Sequence, residues 1–117
     1  MLINFENGKE IKEVWHKKEY DVWMDKIENL NRNVIENIKE EIRKHLDGKE
    51  VDSAGWMPGK KWEGTPYYPI YEAVGDVEAA AKCLGLIVQE CIIEDENIWS
   101  FTKKDGVRGI LYFRLKI

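Results

Sequence analysis

The stretch "GDVEAAAKCLGLIVQECII", residues 75–93, decides the fold, because its apolar residues would lie on nearly every side of a helix. Asp76 is suited to be the N-cap, and the helix is predicted to run to about Ile93. The polar residues form one narrow stripe, made of Glu78, Lys82 and Gln89, with Gly85 on the same line. A helix of this kind is the central helix of a core. Gly85 costs about 1 kcal/mol relative to alanine in mid-helix, and we interpret it as room for a backbone that passes close by.

A second helical pattern precedes this one over residues 20–46. Apolar residues recur there at spacings of three and four: Ile27, Leu30, Val34, Ile38 and Ile42. Asp47-Gly48 ends the pattern, since Gly48 suits a left-handed cap. We predict one long helix of about 40 Å at 1.5 Å per residue. A helix of that length crosses a small domain or projects past it, and we expect it to form the interface of a two-fold homodimer.

The beginning of the chain, "LINF" at residues 2–5, is short, apolar and followed by the turn signal Asn7-Gly8. A tight hairpin with a two-residue loop at Asn7-Gly8 would place Phe5 opposite Glu10, an apolar residue opposite a charged one. We therefore predict a short helix over residues 9–17 that buries three side chains: Ile11, Val14 and Trp15.

The end of the chain has the alternation of a β-hairpin. One face of the last strand would carry Leu111, Phe113, Leu115 and Ile117, and the other Tyr112, Arg114 and Lys116. A three-residue loop at 104–106, with Gly106 in a left-handed bulge, would pair Trp99 with Leu111 and unite the apolar residues on one face. A lone hairpin is marginal in water, so we expect a third strand from residues 2–5 or from the aromatic segment at residues 55–71.

Together these elements predict an α+β fold: a long N-terminal helix, a buried central helix and a C-terminal antiparallel β-hairpin in a small sheet. The 117 residues, 44% of them hydrophobic and 34% charged, fit a single domain over residues 1–117. The net charge of −4 gives no general reason to expect a nucleic acid or an anionic membrane as partner. Met1 is followed by no basic and apolar leader, and no apolar run approaches the roughly 20 residues of a membrane span. We expect a cytoplasmic protein that does not bind membranes.

The segment "GWMPGKKWEGTPYYPIY", residues 55–71, holds all three prolines, two of the five tryptophans and three of the five tyrosines. Pro69 can begin a short helical turn, "PIYEAV", which Gly75 would stop. The segment is too aromatic to be disordered, and two interpretations stay open. In the first it is an ordered lid stapled to the core; in the second it is a recognition surface, since Trp and Tyr are frequent at binding hot spots. The candidate binding residues are Lys60, Lys61, Trp62, Glu63, Tyr67, Tyr68 and Tyr71. We predict that the segment rims the main cleft, with Trp56 buried and Trp62 exposed.

Residues for catalysis or metal binding are few. His16 and His45 lie in charged helical stretches, and no second ligand follows either at a metal-binding spacing. Cys83 and Cys91 would be about 12 Å apart on one helix, too far for a disulfide, and are predicted to be buried, inert thiols. No phosphate-binding loop is present, and no cofactor or catalytic residue is predicted. A small enzyme with Glu63 or Glu72 as an acid or base between aromatic rings is kept as an alternative.

The preferred function is a non-enzymatic interaction module that binds a protein partner through the aromatic segment. Nucleic-acid binding is the second alternative, because residues 99–117 carry five basic residues. That surface would be Lys103, Lys104, Arg108, Arg114 and Lys116, with Tyr112 or Trp62 stacking on bases. The absence of a basic recognition helix and the negative net charge speak against it.

Overall fold

The structure is a computed structural model that describes residues 1–47, 51–52, 61–102 and 110–115, with the backbone alone described for residues 51–52. Within these ranges the helices are α1 (Lys17–Leu30), α2 (Val34–Leu46), α3 (Tyr68–Val74) and α4 (Val77–Glu94). The strands are β1 (Leu2–Ile3), β2 (Glu10–Ile11), β3 (Val51–Asp52), β4 (Trp99–Thr102) and β5 (Leu111–Arg114). The predicted α+β class is confirmed. None of the helices in these ranges combines the length and apolar character needed to cross a membrane.

The central helix predicted from the sequence is α4. The Asp76 carboxylate accepts a hydrogen bond from the backbone N–H of Ala79 at 2.9 Å, which confirms Asp76 as the N-cap. Half of the 18 residues of α4 are buried, and the helix contacts α1, α2 and α3. The close backbone approach expected at Gly85 is wrong, since a Cβ built there meets no described atom within 4 Å. Gly85 therefore weakens the helix without a packing reason among the described residues.

The single long helix predicted over residues 20–46 is wrong, because the chain breaks into α1 and α2 at residues 31–33. Asn31 is extended, with φ −156° and ψ 116°, and Asn33 has φ 69°. Asparagine enters the left-handed region more readily than most residues. The break lets α2 contact both α1 and α4. Leu30, predicted in the buried stripe, lies at the break and is 62% exposed.

The short helix predicted over residues 9–17 is also wrong, because β1 and β2 form an antiparallel hairpin there. Leu2 pairs with Ile11 and Ile3 with Glu10, so the loop spans residues 4–9 instead of two residues. The backbone N–H groups of Asn4 and Gly8 donate within this loop to the carbonyls of Lys9 and Asn4, at 2.8 and 2.7 Å. The longer loop places Leu2 directly opposite Ile11, whereas a two-residue loop would pair Ile11 with Asn4.

The five strands form one sheet in the order β2-β1-β4-β5-β3. β1 runs parallel to β4, with Leu2 beside Trp99, and the other pairs are antiparallel. The extra strand expected from residues 2–5 is therefore present as β1, whereas β3 at Val51–Asp52 precedes the aromatic segment, the other place considered. Leu2 and Trp99 are fully buried. The backbone N–H of Trp15 donates to the side-chain oxygen of Gln89 in α4, and the Trp15 ring packs edge-on against Phe101 with centroids 5.0 Å apart. These contacts place the helices against the face of the sheet that carries Trp99 and Phe101.

The predicted register of the C-terminal hairpin is wrong. Trp99 pairs with Arg114 and Thr102 with Leu111, so Tyr112 and Arg114 share the helix-covered face with Trp99 and Phe101. Leu111 and Phe113 face the other way. Each face of β5 therefore carries large apolar groups: the buried ring of Tyr112 on one face, and Leu111 and Phe113 on the other. Phe113 packs on the outer face against the ring of Phe5, with centroids 6.3 Å apart. The predicted bulge at Gly106 lies outside the described residues.

Candidate functional site

The described part of the aromatic segment, residues 61–71, is an ordered turn that continues into α3. The hydroxyl and the backbone N–H of Thr65 both donate to the carbonyl oxygen of Trp62, at 2.8 and 3.2 Å. Pro69 lies in the first turn of α3, and Gly75 ends the helix with φ 78°. The helical turn predicted for "PIYEAV" is therefore confirmed. Trp56 and Lys60 lie outside the described residues.

Trp62 was expected at an exposed tip, and this prediction is wrong. The side chain is 2% exposed and belongs to the hydrophobic core. Its neighbours Lys61 and Glu63 are exposed, so the chain turns the indole inward between two solvated charges. The indole N–H has no hydrogen-bond partner among the residues that the structure describes, so the ring is held there by packing.

Three rings of the segment form a stack that we call the aromatic platform: Trp62, Tyr71 and Tyr68. The centroid of Tyr71 lies 6.4 Å from that of Trp62 and 6.1 Å from that of Tyr68, with interplanar angles of 23° in both pairs. Trp62 is the buried base, whereas Tyr68 and Tyr71 are half-buried. Tyr67, also a candidate, is 4% exposed and lies in the core. The structure thus brings three of the seven candidate binding residues into one stack.

The charged residues around the platform lie in solvent. Lys61, Glu63 and Glu72 are all exposed. Neither exposed carboxylate is enclosed by aromatic rings, so the acid–base site considered for Glu63 or Glu72 is not formed among the described residues. The described residues give the enzyme alternative no support at this place.

The basic surface considered for nucleic acid is described at one residue, Arg114, because Lys103, Lys104, Arg108 and Lys116 lie outside the described residues. Arg114 lies on the helix-covered face of the sheet and lines a cleft. The two rings proposed to stack on bases are unavailable, since Tyr112 is 6% and Trp62 2% exposed.

This cleft of about 680 Å³ lies where the C-terminal ends of α2 and α4 meet β5. Its described lining comprises Glu40, Arg43, Lys44, Leu46, Asp47, Cys91, Glu94, Asp95, Glu96, Asn97 and Arg114. Residues 61–71 contribute nothing to that lining, so the described part of the aromatic segment does not rim this cleft as predicted. Sequence reasoning missed the cleft because its walls are far apart in the chain and no local pattern marks their meeting.

A cluster of titratable groups, not foreseen from the sequence, joins α2 to α4 around Lys39. The ammonium of Lys39 is buried, contacts the carboxylate of Glu90 and lies 2.9 Å from that of Glu94. Burial opposes the charge on Lys39, but the hydrogen bonds to Glu90 and Glu94 outweigh it and raise the pKa of Lys39 above its usual 10.5. One signal was readable, because Lys39 follows Ile35 by four residues and precedes Ile42 by three, within the apolar stripe of α2.

Three more buried groups belong to this region. Burial raises the pKa of the Cys83 and Cys91 thiols to about 12, which agrees with the prediction of inert thiols. Burial, with the carboxylate of Glu90 close by, also raises the pKa of Tyr20. The Tyr20 hydroxyl has no hydrogen bond of good geometry. These groups are therefore protonated and unreactive at neutral pH.

No group of three or more potential metal ligands occurs among the residues that the structure describes. Comparisons with models of known protein families, with curated proteins and with solved structures find no significant match.

Proposed function

We propose that the protein is a non-enzymatic interaction module that binds a protein partner through the aromatic platform. The observation that carries the proposal is the stack itself, in which a buried tryptophan supports two half-buried tyrosines at centroid spacings of 6.4 and 6.1 Å. A ring held in this way has little rotamer freedom left to lose on binding, so its contact area is entropically inexpensive.

The surroundings of the platform suit recognition of a protein. Lys61, Glu63 and Glu72, which adjoin the platform residues in the chain, provide exposed charges of both signs. Exposed charges at the rim of an aromatic patch add little affinity, but they select the partner and orient it. A partner with an apolar or aromatic anchor and a mixed-charge rim would match this surface.

Affinity capture with variants tests the proposal. The double variant Tyr68→Ala/Tyr71→Ala removes both half-buried rings, and Leu30→Ala is a matched control that removes apolar surface from a residue 62% exposed elsewhere. A protein that binds the wild type and the Leu30→Ala variant but not the folded double variant supports the proposal. Retention of every captured protein by the folded double variant contradicts it.

Self-association is a second candidate function. The single long helix expected to form the dimer interface is not formed, because the chain divides into α1 and α2. The favouring observation is now Phe5, which is 68% exposed beside Phe113 on the outer face of the sheet. We expect a homodimer to use this face, and the variant Phe5→Ser to dissociate it. A monomer mass for the wild type in light scattering at tens of micromolar protein would remove this candidate.

The nucleic-acid alternative has a simple test. Binding through phosphate contacts would give steeply salt-dependent retention on immobilised DNA or heparin, and Arg114→Gln would weaken it. Retention through the aromatic platform would change little with salt.

A further inference from the structure

We infer that the cleft between the C-terminal ends of α2 and α4 binds a small monocarboxylate through Arg114. The cleft has about 680 Å³, within the range of roughly 300–1,000 Å³ common for small-molecule sites. It is separate from the aromatic platform, so this inference does not rest on the proposed function.

Arg114 is the charged group that most needs a partner in this cleft. It is half-buried, and within the described residues its guanidinium forms neither an ion pair nor a hydrogen bond. The guanidinium keeps its charge at any physiological pH and presents its donors as a planar fork that fits a carboxylate. A half-buried planar fork of donors that is unpaired within the described residues suits an anionic group.

The other cations of the cleft are already engaged or solvated. Arg43 lies 3.7 Å from Glu36, and Lys44 lies 3.1 Å from Glu41 on its own helix. Both basic side chains are about half exposed or more, at 47% and 66%. Such exposed pairs are weak and screened by salt. These cations add positive potential along the α2 wall, while Arg114 provides the specific contact from the β5 wall.

Two carboxylates of the cleft already have donors. Glu94 pairs with Lys39 at 2.9 Å, and Asp95 accepts from the Trp99 indole at 2.6 Å and from Asn97 at 3.2 Å. The remaining acids of the lining are exposed to solvent: Glu40, Asp47 and Glu96. The acceptors available to a cationic ligand are therefore hydrated or already hydrogen-bonded. An anion could bind the Arg114 guanidinium, which is unpaired within the described residues.

The same carboxylates limit the charge of the ligand. The cleft lining contains five acids and three bases, so a dianion such as phosphate would be repelled more strongly than a monoanion. Leu46 and Cys91, which also line the cleft, are buried and offer an apolar surface. The ligand that fits is a single carboxylate on a short apolar body.

Butyrate, inorganic phosphate and butylammonium, compared at constant ionic strength and neutral pH, test the inference with the full chain. Backbone amide NMR shifts report binding. We expect saturable shifts with butyrate at residues 91, 94–97 and 114, in the millimolar range. Arg114→Gln should weaken butyrate binding about tenfold or more, because it removes a charge-assisted, two-pronged contact. Arg32→Gln, at an exposed arginine between α1 and α2, is the matched control and should leave the affinity within about twofold.

Three outcomes would overturn the inference: no saturable shift with butyrate, tighter binding of phosphate or butylammonium, or undiminished butyrate binding by Arg114→Gln. If Arg114→Gln does not fold, Arg114→Lys decides, because it keeps the charge and loses the planar fork. Butyrate binding by that variant equal to the wild type would then refute the assignment.

Discussion

Two regions close over the core of this protein with different kinds of contact. The α2–α4 contact buries the ammonium of Lys39 against the partly exposed carboxylates of Glu90 and Glu94, and the nearby Tyr20, Cys83 and Cys91 are further buried titratable groups. The described part of the aromatic segment buries rings, and the buried indole N–H of Trp62 has no hydrogen-bond partner among the described residues. The stability that the α2–α4 contact provides should depend on pH and charge, and the stability that the aromatic segment provides should depend on side-chain volume. Substitutions and pH changes should therefore affect the two contacts differently.

Truncation of Trp62 should have the largest effect. Trp62→Ala removes a core ring that supports Tyr71, and we expect a loss of about 3–5 kcal/mol in the free energy of unfolding. Chemical denaturation measures it. Glu63→Ala, at the exposed neighbour, should leave stability nearly unchanged. A small loss for Trp62→Ala would mean that the indole is not part of the core.

Trp99 allows a comparison with Trp62, because both side chains are buried but the indole N–H of Trp99 donates to Asp95 at 2.6 Å. Replacement by phenylalanine removes that bond at Trp99 and removes an unpaired donor at Trp62. We therefore expect Trp99→Phe to cost more than Trp62→Phe, by about 1 kcal/mol. The reverse order would show that the Trp62 N–H is satisfied in solution, for example by a buried water.

The charged contact should give the next largest effect. Lys39→Ala leaves the carboxylates of Glu90 and Glu94 without their common partner, and we expect a loss of about 2 kcal/mol. The loss is smaller than the roughly 3–5 kcal/mol typical of a fully buried pair, because the Glu94 side chain is 48% exposed. Glu94→Gln is the control and should cost less. Equal losses in the two variants would contradict a buried role for Lys39.

Alkaline pH should act on the titratable region alone. The pKa of each thiol, at Cys83 and Cys91, is raised from 9.0 to about 12, so between these values the native state holds protons that the unfolded chain releases. The free energy of unfolding should therefore fall as pH rises above 9, by up to about 1 kcal/mol per pH unit for each thiol. The raised pKa values of Tyr20 and Lys39 act in the same direction at higher pH.

Urea unfolding across the alkaline range measures this slope. The variant Cys83→Ala/Cys91→Ala should flatten it, whereas Trp62→Phe should lower stability equally at every pH. A stability that is independent of pH up to 12 would contradict the burial of both thiols.

The smallest effect serves as a reference that involves neither region. Gly85→Ala adds a methyl group that meets no described atom within 4 Å and gains helix propensity. We expect a gain of about 0.5–1 kcal/mol in the free energy of unfolding, measurable as a higher melting temperature. A destabilised variant would show that another part of the chain lies against α4 at this point.

The elements predicted correctly are those whose signals are local. Asp76 opens α4 because its carboxylate caps the N–H three residues on, and Gly75 stops α3 because it tolerates a positive φ. The break between α1 and α2 was not predictable from periodicity, since Val34 follows Ile27 by seven residues and continues the helical stripe. The asparagines at 31 and 33 were the available signal, because asparagine favours turn and left-handed conformations. The continuous apolar period of the sequence nevertheless favoured an unbroken helix.

The errors at the candidate site concern orientation. Trp62 between two charges has the local pattern of an exposed residue, but the turn made by Thr65 directs the indole into the core. In the last strand, alternation shows that Leu111 and Phe113 share a face without showing which face the helices cover. Pairing with β4 decides that question, and it depends on the register of residues distant in the chain.

The parallel pairing of β1 with β4 has a consequence for the order of folding. Ile3 and Ser100, joined by a hydrogen bond of 2.8 Å, are 97 residues apart in the chain. At a synthesis rate of about 5–20 residues per second, the first strand waits roughly 5–20 seconds for its neighbour. The β1–β2 hairpin and the α1–α2 pair are local and can form during that time, but a two-stranded hairpin is marginal alone. Sheet closure is therefore a late, high-contact-order step, and we expect chains truncated before residue 99 to retain helix but to expose the apolar side of α4.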